Sequence, residues 1–257
     1  MLFVAKIMTI ANQKGGVAKT TTAVNIGACL ASLGKKVLLI DIDPQGNASS
    51  GLGINRTEID HCIYDVLINN IPVSSVTVKT DIEGLEIVPA TIQLAGAEIE
   101  LVSSISRELK LKKALHLVKE NYDYVLIDCP PSLGLLTLNA LTAADSLIIP
   151  IQCEYYALEG LGQLLNTIQL VQKHLNPDLE LEGVVLTMFD ARTNLSIQVV
   201  DEVKNYFKGK VFGTIVPRNV RLSEAPSHGK PIITYDPKSR GAEVYFDLAK
   251  EVIDNGK

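Results

Sequence analysis

No apolar run in the chain approaches the roughly 20 residues that a membrane-spanning helix requires. Helical membrane proteins are thereby excluded, and a soluble, cytoplasmic protein is expected. The opening Met1–Met8 stretch is apolar, but it is short, carries no basic leader and reads as a strand rather than a targeting signal. Cysteine is sparse. Cys29, Cys62, Cys129 and Cys153 form no C-x-x-C pair, which argues against a disulfide framework and suits buried, reduced thiols. His61, His116, His174 and His228 show neither metal spacing nor a paired nucleophile. No Ser/Gly/Pro-rich linker and no block of like charges divides the chain, so a single domain over residues 1–257 is expected. Basic residues are not in excess either: 24 Lys and Arg against 29 Asp and Glu give a net charge of -5, which by itself predicts no affinity for a polyanion.

The chain does contain a regular alternation. Apolar runs at 6–11, 36–41, 85–89, 124–128, 146–151, 181–187 and 211–216 are separated by segments of helical period, the pattern of strands joined by helical crossovers. Most of these runs are apolar on both faces, so the expected fold is α/β, a mostly parallel twisted sheet with helices on both faces. Leu158, Leu161, Leu165, Ile168, Val171 and Leu175 form one helical core stripe; Tyr245, Leu248, Ala249 and Val252 form another. Lys110, Lys112, Lys113 and Lys119 read as the solvated face of a further helix.

The first strand runs into Ala11-Asn12-Gln13-Lys14-Gly15-Gly16-Val17-Ala18-Lys19-Thr20-Thr21-Thr22, and a helix is expected from about Lys19. A glycine-rich turn between strand and helix is the setting in which backbone N–H groups and a helix N-terminus converge on phosphate. Gly15, Gly16, Val17, Ala18, Lys19, Thr20 and Thr21 are therefore candidate nucleotide-binding residues. Lys19 is placed to reach the terminal phosphates and Thr20 to ligate Mg²⁺. The spelling departs from G-x-x-x-x-G-K-[ST], with Gln13 at the first glycine and Ala18 at the second. If Ala18 needs a positive φ, its methyl costs about 1 kcal/mol or slightly more and weakens binding.

Two further segments, 37–45 and 124–131, each give an apolar strand, an acid at its C-terminal end and then proline. In open parallel sheets ligands bind beyond the carboxyl ends of the strands, which brings both acids to the loop. A lone Asp-Pro is ordinarily a capped turn; two at matching strand ends beside a phosphate loop point to function. Asp128 reads as the acid that holds Mg²⁺ through water, and Asp41 as architectural.

The run KGGVAKTT resembles the deviant Walker A of the ParA/MinD branch of P-loop ATPases, K-G-G-x-G-K-[ST]. Longer stretches, among them DIDPQGNASSGLG, VPATIQLAGAEIEL, IDCPPSLGLLTLNAL and PRNVRLSEAPSHGKPI, are similar to the Soj-type chromosomal ParA proteins over nearly the whole chain. The resemblance implies a ParA/Soj-type chromosome-partitioning ATPase that uses ATP and Mg²⁺ and hydrolyses weakly without a partner. It implies an ATP-sandwich homodimer in which Lys14 reaches the partner subunit's nucleotide, as a catalytic and nucleotide-binding residue. Asp43 is implied as the catalytic acid that orients or deprotonates water, and Pro217 and Asn219, with Arg218 beside them, as adenine contacts. It further implies non-specific binding to double-stranded DNA, nucleoid association and a ParB/Spo0J-like activator. Arg192 and Arg221 match arginines implicated in DNA contact, with Lys204, Lys208 and Lys230 as weaker candidates; taken without the family, these residues read as an ordinary solvated surface.

Two relatives of different function stand against this reading. A MinD-like membrane-cycling ATPase needs a basic amphipathic membrane helix at its C-terminus, whereas residues 248–257 continue a core stripe with acids beside it. An iron–sulfur electron carrier needs cysteines that bridge two subunits, and no ligand pair is evident. An ATP-switched regulator with little turnover remains open, because Ala18 bears on the rate.

Overall fold

The computed structural model of the protein describes residues 5–155 and 161–256. The strands β1 (Lys6–Ile10), β2 (Val37–Asp41), β3 (Val78–Lys79), β4 (Leu85–Val88), β5 (Tyr124–Asp128), β6 (Ser146–Gln152) and β7 (Glu180–Thr187) form one sheet. Their order is β3-β4-β2-β5-β1-β6-β7. Every neighbouring pair is parallel except β3 with β4 at the edge. The helices are α1 (Lys19–Ser32), α2 (Asn47–Gly51), α3 (Ile63–Ile68), α4 (Val73–Val76), α5 (Leu94–Glu100), α6 (Lys110–Leu115), α7 (Leu135–Ala143), α8 (Leu161–His174), α9 (Asn194–Phe207), α10 (Val220–Glu224), α11 (Ile232–Tyr235) and α12 (Arg240–Asn255).

Strand side chains alternate between two cores, as the period of two requires. Leu38 and Ile40 of β2 join the core under α3, α5, α6, α7, α8 and α9, while Val37 and Leu39 join the core under α1 and α12. Helix α1 lies close on the sheet at Gly27, where an added Cβ would stand 3.4 Å from side-chain atoms of Leu85 and Leu126. The α/β expectation with helices on both faces therefore holds. All four cysteines are buried and free.

The chain leaves β1 toward β2 on one side of the sheet and reaches β6 on the other, so the C-terminal end of β1 lies at a crevice where connections diverge. In register, Ile10 of β1 and Asp41 of β2 both stand beside Asp128 of β5. This alignment brings the acids to the loop that follows β1.

The strand expected at 211–216 is not formed. Its ends bond to β7, through Phe212 N–H to the Val184 carbonyl (3.0 Å) and Val216 N–H to the Leu186 carbonyl (2.8 Å). Its middle is drawn away by Glu251 of α12, whose carboxylate accepts from the N–H groups of Gly213 (2.7 Å) and Thr214 (2.8 Å). The stripe expected from Leu158 is helical from Leu161; Leu158 itself lies outside the described residues. The lysine-bearing helix closes at Leu115, short of Lys119, and Lys112 and Lys113 are exposed as expected.

Candidate active site

The loop between β1 and α1 is held from several sides. Asn12 is buried, its amide donating to the Pro150 carbonyl (2.8 Å) while its side-chain oxygen accepts from the Lys14 N–H (3.0 Å). Gly16 has φ 75°, a left-handed conformation natural to glycine. Ala18 also lies in the left-handed region (φ 67°, ψ 33°), so the condition attached to its methyl is met. Ala18 is the N-cap of α1 and supplies no side-chain cap, which leaves the first N–H groups of the helix for other acceptors. Lys19 is buried, and its ammonium donates to the Lys14 carbonyl across the loop (2.9 Å). Burial pulls its pKa below the ordinary lysine value, against the opposing pull of Asp128 foremost and of Asp43.

The three acids have different surroundings. Asp41 is fully buried and accepts three hydrogen bonds, from the Asp43 N–H (3.2 Å), the Ser49 N–H (2.8 Å) and the Ser49 hydroxyl (2.7 Å). Burial raises its pKa to about 6 despite them. The Ser49 hydroxyl in turn accepts from the Ala90 N–H (3.0 Å), so Asp41 ties α2 and the end of β4 to β2, the architectural role expected of it. Asp43 is buried and accepts from the Gln45 N–H (2.9 Å). Asp128 is fully buried, and neither carboxylate oxygen makes a well-formed hydrogen bond. Burial drives its pKa well up, the Asp41 charge adds to this, and the Thr20 hydroxyl and Lys19 pull it back.

A cavity of about 410 Å³ opens beside the loop, in the size range of small-molecule sites. Ala18, Thr21, Met188, Pro217, Asn219 and Tyr245 line it, which brings the two expected base contacts next to the loop. The Asn219 side-chain oxygen is engaged as the N-cap of α10, accepting from the Arg221 N–H (2.8 Å), and leaves the amide nitrogen outside that bond. Arg218 pairs with Glu154 (2.6 Å).

The basic candidates do not form one cluster. Arg192, 86% exposed, makes a two-pronged pair with Asp190 (2.9 and 2.7 Å). Arg221 pairs with Glu224 (2.9 Å) and Asp236 (3.5 Å). Lys204, Lys208 and Lys230 are exposed. Arg192 precedes α9 and Lys208 follows it, so about 20 Å of helix separates them.

Residues 5–181 match the family described as an AAA domain. The sporulation initiation inhibitor protein Soj of Bacillus subtilis is 70% identical over 251 residues, 98% of this chain and 99% of that protein. The chromosome partitioning protein ParA of Myxococcus xanthus is 59% identical over 250 residues, 97% of this chain and 88% of that protein. The chain belongs to the ParA/Soj family of chromosome-partitioning ATPases. Among solved structures, one described as cobyrinic acid a,c-diamide synthase of Mycobacterium smegmatis with bound ADP and magnesium shares 41% identity and a TM-score of 0.87, covering 98% of this chain and 95% of that one. The same protein with an ATP analogue and magnesium gives 42% and 0.87, with 98% and 96% covered.

For a member of the ParA/Soj family, the residues that sequence reasoning missed are those that support the loop from far along the chain. Ser49 braces Asp41, Tyr245 bonds the Thr22 hydroxyl (3.2 Å) behind the loop, and Thr187 bonds the loop itself. Met188 takes a left-handed φ of 53° beside the cavity, a conformation no local pattern announces.

Two outcomes follow from this geometry. Ala18 is held in the left-handed region by the fold around it, so the strain is carried by the folded chain. Ala18→Gly removes roughly 1–2 kcal/mol of strain, partly offset by about 0.4–1 kcal/mol of added freedom in the unfolded chain. The variant is expected to be more stable by about 0.5–1 kcal/mol in urea titration, with ATP affinity within about twofold. Asp128→Asn relieves an unpartnered buried acid, so in chelator its melting temperature is expected to exceed that of the unmodified chain by a few degrees. With ATP and magnesium the order is expected to invert, because the variant gains less from the ligand.

Proposed function

We propose that this chain binds ATP with Mg²⁺ on the loop at 14–21, dimerises face to face around it, binds DNA as the dimer and lets go on hydrolysis. The observation that carries this reading is the arrangement around Lys19. A buried ammonium lies at the N-terminus of α1, with Asp43 and an unpartnered Asp128 acting on it. Magnesium suits the donors, since Asp128 offers a carboxylate with no well-formed hydrogen bond beside the Thr20 hydroxyl. The ion's contribution when bound is to neutralise charge on the phosphate oxygens.

On this reading the loop N–H groups from Gly15 to Thr21 hold the phosphates and Lys19 leaves the Lys14 carbonyl for a terminal phosphate oxygen. Asp43 orients the attacking water and draws its proton, and Lys14 of the second subunit neutralises charge on the transferred phosphoryl. The base occupies the cavity at Met188, Pro217 and Asn219. A cation supplied in trans makes nucleotide state and assembly state interdependent.

DNA contact is assigned to Arg192 and Arg221, with Lys204, Lys208 and Lys230 in support. Both arginines already face carboxylates at the surface, and such exposed pairs are weak enough to exchange for phosphate. Two copies on one face double the phosphates engaged and steepen the dependence on salt. A ParB/Spo0J-like partner stimulates the otherwise weak hydrolysis and so returns monomers.

With a non-cleavable ATP analogue, analytical ultracentrifugation is expected to show a dimer for the unmodified chain and a monomer for Lys14→Ala, with nucleotide affinity within a few-fold. A solitary, analogue-saturated wild type contradicts the sandwich. Asp43→Ala is expected to keep ATP binding while phosphate release drops by about 100-fold or more, the scale of a lost general base; unaltered release removes Asp43 from the chemistry.

A further inference from the structure

Thr187 is the last residue of β7 and is fully buried. Its hydroxyl donates to the Val17 carbonyl at 3.1 Å, a contact between residues 170 positions apart. Its own carbonyl accepts from the Cys153 N–H (2.9 Å), so its backbone is fixed to the sheet rather than to the loop. Val17 immediately precedes Ala18, the non-glycine residue held at φ 67°. On the other side, Met188 is left-handed and lines the cavity, and Phe189 bonds to Val216 and Arg218 through its N–H (3.1 Å) and carbonyl (2.9 Å). One strand end thus reaches both the phosphate loop and the Pro217–Asn219 wall.

We propose that Thr187 is a positioning residue whose hydroxyl clamps the phosphate loop in the left-handed geometry at Ala18 and registers that loop against the base cavity. The proposal rests on the nucleotide reading above. Alanine resists this conformation where glycine accepts it. Without the clamp, an alanine-bearing loop relaxes and is strained again each time a nucleotide binds; a glycine-bearing loop is not. The clamp matters because of the residue at position 18, and this dependence separates positioning from general support of β7.

The test is a titration of a fluorescent ATP analogue with magnesium into the full chain, in four backgrounds: unmodified, Thr187→Val, Ala18→Gly and the double variant, with Thr187→Ser as the conservative control. Thr187→Val keeps the β-branched shape and removes the donor, and is expected to weaken binding about fivefold to tenfold, the range of one net hydrogen bond. Thr187→Ser is expected to stay within about twofold of the unmodified chain. In the Ala18→Gly background the loss from Thr187→Val is expected to shrink to about twofold or less, a coupling that merely structural support does not produce. Equal losses in both backgrounds, or no loss in either, overturn the clamp. If neither Thr187→Val nor Thr187→Ala folds, the hydroxyl supports the sheet and the proposal fails. Absence of binding by the unmodified chain sinks the nucleotide reading itself, an outcome distinct from intact binding that ignores Thr187.

Discussion

The buried ammonium of Lys19 is the charge on which the rest of the site depends. Parallel pairing of β1, β2 and β5 brings Asp41 and Asp128 side by side, with Asp43 two residues beyond. Three acids in so little solvent are tolerated only if each is answered. Asp41 is answered by three hydrogen bonds from Ser49 and Asp43. Asp128 has no well-formed hydrogen bond, and its burial is opposed by the Thr20 hydroxyl and then by the charge of Lys19. Burial with so little support favours the protonated form of Asp128, and a cation at that carboxylate would favour the ionised form.

The sheet was legible because its inner strands are continuous apolar runs, and the acids because each ends such a run. Local pattern also identified the loop, with Ala18 as the position of possible strain. What could not be read is long-range. Residues 211–216 look like a strand, but Glu251, 37 or more positions away, takes two of their N–H groups. The Thr187 bond to Val17 leaves no periodic trace in either segment. Asn219 was read as a base contact on family likeness, yet its side-chain oxygen caps α10, and a cap is decided by where the helix begins rather than by the residue alone. Arg192 and Arg221 look like free cations in sequence, and their acid partners become visible only once chain geometry is known.

Those ion pairs bear on how an acidic protein can act on DNA. A salt bridge at the surface contributes little stability, so it is a weak restraint on either arginine. It does lower the field that a single chain projects, and the candidates are divided between α9 with its flanks and the 221–230 segment. A lone copy on the proposed reading offers few unopposed cations. Affinity then depends on presenting two copies together, which makes assembly the controlling variable and net charge a poor guide.

On the proposed reading, the segment 217–230 gives nucleotide occupancy a short path to that surface. Pro217 and Asn219 wall the cavity beside the phosphate loop, and Asn219 caps the helix that carries Arg221. Lys230 lines a second cavity of about 420 Å³ that also touches Thr20, Thr21 and Asn47. Pro226 borders both cavities. Asn219 fixes the start of α10, and Thr20 and Lys230 line one cavity. Two cationic candidates are therefore carried by the same stretch of chain that lines the two cavities, whereas Arg192, Lys204 and Lys208 stand on or beside α9 and line neither. If, on the proposed reading, ATP acts on DNA contact within one subunit as well as through pairing, its shortest route is through Arg221 and Lys230, with a second through Met188, Phe189 and Asp190 to Arg192.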